Sequence, residues 1–199
     1  MASSAAIAAT TAAIKTLLDR AAAASPDFST VVVTPFQALD MQAPPTSDTA
    51  LVVSIYLHRV ALSSVRTGMP AIVEIDGRRV RAPILLDLHY LVTAWARSAL
   101  MQQKLLGWAI RTLDDTPVLP PTVLNDGGWA GVFGPTETVE LVWQAMTTQE
   151  EMDVWQVAQT NEQPSASYLA RGIALESDVP IDDWPLAQTI ELDYAEAGS

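Results

Sequence analysis

The 199-residue chain contains no cysteine, which excludes disulfides, thiolate metal ligands and a thiol nucleophile. Histidine is scarce as well: His58 and His89 are the only two, so imidazole ligands for a metal are few. No run reaches the roughly 18 uninterrupted apolar residues of a membrane-crossing helix, because charges or prolines break every long one. A membrane partner is therefore not expected. The opening MASSAAIAATTAAIKTLLDRAAAASP has no basic segment before its apolar residues and carries Lys15 among them, which speaks against a secretion signal and for synthesis in the cytoplasm. There is no G-x-S-x-G elbow, no H-E-x-x-H pair and no G-K-[ST] ending to the glycines of NDGGWAGVFG, so the usual serine-hydrolase, zinc-protease and phosphate-binding motifs are missing. Basic residues are also lacking toward the rear: Met1 to Arg111 holds 10 basic and 7 acidic residues, Thr112 to Ser199 only 1 against 16. The net charge of −12 repels phosphate, and the one basic cluster, Arg78, Arg79 and Arg81, has no interleaved aromatics to stack bases. Nucleic acid is not the expected partner.

What is present is apolar. With 49% hydrophobic and 17% charged residues and a mean hydropathy of +0.20, the chain is greasier than a typical soluble domain and is expected to hide surface against neighbours. Ile7, Ile14, Leu17, Leu18 and Ala21 fall on one stripe of an opening helix that SPDF, Ser25 to Phe28, brings to a stop. TVVVTPF reads as a strand, followed by a proline-set loop. From Leu51, LVVSIYLHRVAL alternates, with Leu51, Val53, Ile55 and Leu57 on one face and Val52, Ser54, Tyr56 and His58 on the other. Asp76-Gly77 between two β-rich runs marks a hairpin.

LLDLHYLVTAW continues the pattern as a central strand. Ile84, Leu86, Leu88, Tyr90, Val92 and Ala94 share an apolar face; Leu85, Asp87, His89, Leu91, Thr93 and Trp95 share a mixed one. A helix should follow, capped by Ser98, with Met101, Leu105, Trp108 and Ala109 inward beside Leu106, Ile110 and Leu113. DDTPVLPP ends it. PPTVLNDGGWAGVFGPTET, without periodicity, reads as a long loop ordered only by a partner. TVELVWQAM is a strand, TTQEEMDVWQVAQ a helix with Thr147 and Glu150 at capping-box spacing, and ASYLARGIALES a further strand. The order points to an α+β fold, a mainly antiparallel (mixed) sheet covered by helices, over residues 1–176. Residues 177–199 form an acidic tail or arm.

Asp87 and His89 share a strand face, and His58 lies on a strand that can neighbour it, which permits a small hydrolase site. No nucleophile or third group stands at motif spacing, so the same residues also read as polar groups satisfied by one another or by a covering loop. Trp95, Trp108, Trp143 and Trp155 occupy core-compatible positions, whereas Trp129 and Trp184, in loop and tail, are candidate partner anchors. The three arginines are a solvated hairpin tip or a site for an acidic partner.

The pairing of LLDLHYLVTAW with QQKLLGWAIRTLDDTPVL resembles the cap, or tail-terminator, proteins of extracellular contractile injection systems, the phage-tail-like particles of bacteria. The matching pieces are Leu86 to Tyr90, Leu105 to Gly107 and Asp115 to Leu119, together with PSASYLARGIAL at Pro164 to Leu175. IYLHRVALSS resembles the family's tyrosine-arginine-valine strand, with His58 inserted between Tyr56 and Arg59 and with Ser63 and Ser64 where asparagines are usual. The likeness spans about Ala5 to Glu176. It implies a structural protein without catalysis or cofactor, in which Asp87 and His89 define the fold. It further implies a ring, of six copies, on the end of the inner tube and sheath distal to the baseplate, assembled in the cytoplasm as part of a particle that can be released. Within that picture the alternating run Leu186, Ile190, Leu192 and Tyr194 is expected to engage the sheath by strand addition. A terminator of a true phage tail is the neighbouring alternative.

Overall fold

The computed structural model describes residues 4–42, 50–64, 72–75 and 78–177, following the backbone alone through 72–75, 78 and 79. Helix α1 (Ala6–Ala24) buries Ala6, Ala9, Thr10, Ala13, Ile14, Leu18 and Ala22, the three-and-four spacing of a helix face. Its alanines let it lie close on the sheet. It ends at Ser25, whose extended backbone precedes Pro26. After it come β1 (Val32–Phe36), α2 (Ala38–Gln42), β2 (Val52–Leu62), β3 (Ile72–Ile75), β4 (Arg78–Arg81), β5 (Ile84–Trp95), α3 (Ala99–Asp114), β6 (Val118–Leu119), α4 (Pro121–Leu124), β7 (Val139–Trp143), α5 (Thr148–Ala158) and β8 (Ser165–Leu175).

Six strands form one sheet in the order β1-β2-β5-β8-β7-β6, and β3-β4 is a separate two-stranded hairpin. Only β1 and β2 run parallel; every other neighbouring pair is antiparallel. This is the α+β, mainly antiparallel fold read from the sequence. The alternation of β2 and β5 decides its two cores. Val53 and Ile55 face α1 and α3 together with Leu86, Leu88, Tyr90, Val92 and Ala94, against Ile14, Leu18, Leu105, Ala109 and Leu113. On the opposite face Val52, Leu91 and Trp95 pack with Met41 of α2 and with Trp155 and Ala158 of α5. Each large aliphatic side chain buried here contributes about 1.5–3 kcal/mol.

Several expectations are corrected. Ser98 holds the N-cap position of α3 in extended backbone, but its side chain makes no cap hydrogen bond. Met101 is 38% exposed, Ile84 43% and Trp143 50%. Trp143 rests edge-on against Tyr168, ring centroids 5.6 Å apart. The segment 120–138 does not wait for a partner. It contains α4 and a 3-10 turn at Gly127–Trp129, and Leu124 and Phe133 are buried in the larger core. Asn125 clamps it by donating to the Phe133 carbonyl (3.1 Å) and accepting from the Phe133 N–H (3.0 Å). DDTPVLPP ends α3 at Asp114, as expected, and its Val118 and Leu119 then form β6.

The margins of the six-stranded sheet are short or irregular. Val32 N–H donates to the Leu51 carbonyl at 2.9 Å, so parallel alternation turns the backbone groups of Val33 and Pro35 outward, and Pro35 has no N–H to offer. Beyond β1, the free stretch of β2 is broken by a register shift between Leu57 and Arg59. At the other margin β6 is two residues long.

Candidate functional site

Two β-bulges place the polar side chains on the second face of the sheet. His58 is the extra residue where Leu57 pairs with Tyr90 and Arg59 with His89, so Arg59 joins the row of His89. The pairing of β5 with β8 shifts between Leu86 and Leu88, leaving Asp87 opposite Arg171 and Gly172. Gly172 takes φ +90, a conformation that side-chain-bearing residues rarely adopt. Next to this bulge lies a trough of about 490 Å³ between Leu85, Val118 and Thr138, bordered by the two-point ion pair of Arg171 with Glu140 (2.7 and 3.1 Å).

A second cleft, of about 480 Å³, opens where the sheet meets the N-terminal end of α5, with His58, Arg59 and His89 as floor and Gln144, Glu150 and Asp153 as wall. Thr147 and Glu150 close the capping box expected from their spacing, and the Thr147 backbone N–H holds the Glu150 carboxyl below its ordinary range. Arg59 reaches Glu150 at 3.8 Å. The two imidazoles lie edge to face with centroids 6.1 Å apart. Burial, then His89 and Arg59, pushes His58 down to about 4. Burial and Arg59 lower His89 too, against the pull of Asp87.

Asp87 and His89 do share a face, with His58 across from them, as the alternation indicates. They do not satisfy one another: Asp87 Oδ1 and His58 Nε2 are buried without a hydrogen-bond partner, and His89 is hydrogen-bonded to Gln144. Ser167 of β8 lines the same cleft, and among the described residues no three His, Asp or Glu side chains converge to hold a metal ion. This arrangement can receive polar side chains.

Of the candidate contact residues, Arg81 is exposed, while Arg78 and Arg79 are placed only as backbone positions of β4. Trp129 packs half-buried against the larger core. Trp184, Leu186, Ile190, Leu192 and Tyr194 lie outside the described residues. One surface was missed. Gln149, Met152, Asp153, Gln156 and Val157 form an outward stripe on α5, with Met152 53% and Val157 65% exposed. The signal was present in TTQEEMDVWQVAQ, whose apolar residues occupy two faces of the helix where one core needs one. No described helix is long and apolar enough to cross a membrane.

The fold is similar to that of tail-terminator structures. The profile of the Pvc16 N-terminal domain matches residues 9–188, and the chain belongs to that family. Among solved structures it is similar to the sheath/tube terminator of the extracellular contractile injection system PVC in its extended state, at 15% identity and a TM-score of 0.56, covering 94% of this chain and 64% of that one. It is also similar to the anti-feeding prophage cap, the AFP tube terminating cap, at 12% identity and a TM-score of 0.52, covering 88% and 58%. The chain thus spans about three fifths of the length of these two proteins. A comparison with curated protein sequences finds no significant match.

Proposed function

We propose that the protein is a structural terminator of a contractile injection particle, a cap that forms a ring on the distal end of tube and sheath, ends their polymerisation and closes the particle. One observation carries this reading: membership of the Pvc16 N-terminal domain family, in a chain whose fold is similar over 94% of its length to part of a sheath/tube terminator. The ring has six copies. Its cyclic contacts are heterologous and account for the apolar, weakly charged composition. Assembly takes place in the cytoplasm, with sheath and inner-tube proteins as partners. The tail, residues 177–199, reaches the sheath through the run Leu186 to Tyr194, so removing Trp184 to Ser199 weakens capping and leaves the domain folded.

The test is negative-stain electron microscopy of particles from producing cells with and without this gene. Ragged, overlong or absent sheaths in its absence are expected. Intact particles of normal length would refute the reading.

A further inference from the structure

We propose that the cleft between the second face of the sheet and α5 takes an arginine side chain from a segment of a partner protein, in which that arginine is flanked by apolar residues. The inference stands on the cleft itself and does not need the terminator reading. On the wall, Glu150, Asp153, Val154 and Val157 recur at the three-and-four spacing of one helix face. The first three line the cleft, and Val157, 65% exposed, carries the same face one turn further out. Trp155 and Ala158, on another face of the helix, are the residues buried in the second core, so Val157 is left outside the packing of the chain.

The charges of the lining call for a cation. Arg59 is its one basic side chain, set against the carboxylates of Glu150 and Asp153, and burial first of all holds both imidazoles neutral at physiological pH. One negative charge is left uncompensated, which disfavours an anion. Nor are the carboxylates saturated. Glu150 Oε2 accepts from the Thr147 backbone N–H and hydroxyl, both at 2.9 Å, but among the described residues its Oε1 meets only Arg59, at 3.8 Å, beyond hydrogen-bond reach. Asp153 Oδ1 accepts from Gln149 at 2.7 Å, and its Oδ2 has no partner among the described residues.

Two open carboxylate oxygens one helical turn apart suit the planar, many-pronged guanidinium better than the point charge of an ammonium. Ala145, Met146 and Val154 offer apolar wall to the stem of such a side chain. At about 480 Å³ the cleft falls within the range of ligand pockets, roughly 300–1,000 Å³. A free arginine-like molecule would use the charges and leave Val157 bare; a polypeptide covers both, and that outer valine decides for it.

The test follows amide chemical shifts of the full 199-residue chain during titration with the capped tripeptide acetyl-Val-Arg-Val-amide. Saturable shifts centred on Gln144, Asp153 and Ser167 are expected. Asp153→Asn should weaken binding about tenfold through loss of a charge-assisted contact. Asp114→Asn, which removes the same charge from exposed α3 on the other face of the sheet, should leave it within about twofold. No saturable shift up to about 10 mM peptide, equal losses in the two variants, or equal binding of the glutamate-centred tripeptide overturns the proposal. A capped single arginine should bind about threefold more weakly than the tripeptide, and Val157→Ser should remove that difference; a single arginine binding as tightly overturns the polypeptide occupant. Because the isolated chain is measured, failure here leaves the terminator reading standing, while particles indifferent to the gene would remove that reading and leave this one.

Discussion

Mild acid should destabilise this fold, and His58 is the main reason. In the unfolded chain its imidazole takes a proton near 6.5; in the folded cleft, burial, His89 and Arg59 hold that event down to about 4. Above pH 6.5 both states carry a neutral ring and stability is unaffected. Between 6.5 and about 4 only the unfolded state binds the proton, so stability falls by up to about 1.4 kcal/mol per pH unit. Passing from pH 7.5 to 5 therefore removes at most about 2 kcal/mol, and partial solvation of the ring reduces this to about 1. His89, shifted in the same direction, adds to the loss. Asp27, Glu140 and Glu150 are held below their ordinary carboxylate values of 3.8 and 4.5, so their contributions fade mainly as pH falls below about 5 and leave the interval from 7.5 to 5 to the histidines. Thermal unfolding followed by circular dichroism should show the midpoint dropping by about 2–4 °C between pH 7.5 and 5, and His58→Gln should remove most of that drop. An unchanged midpoint, or an equal drop in the variant, would refute the reasoning.

Three further outcomes are expected from urea unfolding. Gly172→Ala forces a Cβ onto φ +90, with the Thr138 carbonyl at an ordinary 3.6 Å, so the cost is backbone strain of about 1–2 kcal/mol; no change in midpoint would mean the bulge relaxes. Thr147→Ala opens the capping box of α5 and should cost about 1 kcal/mol, visible also as faster amide exchange in the first turn of that helix. Thr11 already gives its hydroxyl proton to the Ile7 carbonyl (3.2 Å), which makes buried Tyr90 the donor in their 2.8 Å contact. Tyr90→Phe should therefore cost about 1 kcal/mol, and a stabilised variant would argue that the contact is not made.

Much of this fold could be read from period alone. β2 and β5 announce both faces of a buried sheet because every second residue belongs to a different core: Leu88 and Tyr90 to one, Leu91 to the other. The stripe of α1 and the Thr147 to Glu150 box were legible for the same reason, being fixed spacings. The bulges were not, since an extra residue such as His58 leaves no mark in composition and yet carries Arg59 into the row of His89. Nor was the order of residues 120–138, which depends on one asparagine closing on Phe133 eight residues away. Asp87 and His89 could be placed on a shared face. Their lack of mutual satisfaction depends on what α5 and Gln144 bring over them, which no strand pattern contains.

Pro35 turned outward, a two-residue β6 and a bulged free stretch of β2 leave the main sheet with almost no backbone to lend. In the terminator reading proposed above, a subunit that works beside growing polymers would thereby be poorly suited to seeding fibres of itself through that sheet. Contacts between copies of such a subunit would then be written in side chains. Bonds of that kind respond to salt and to single charge changes, so under that reading the grip of one copy on the next could be tuned in evolution without touching the fold.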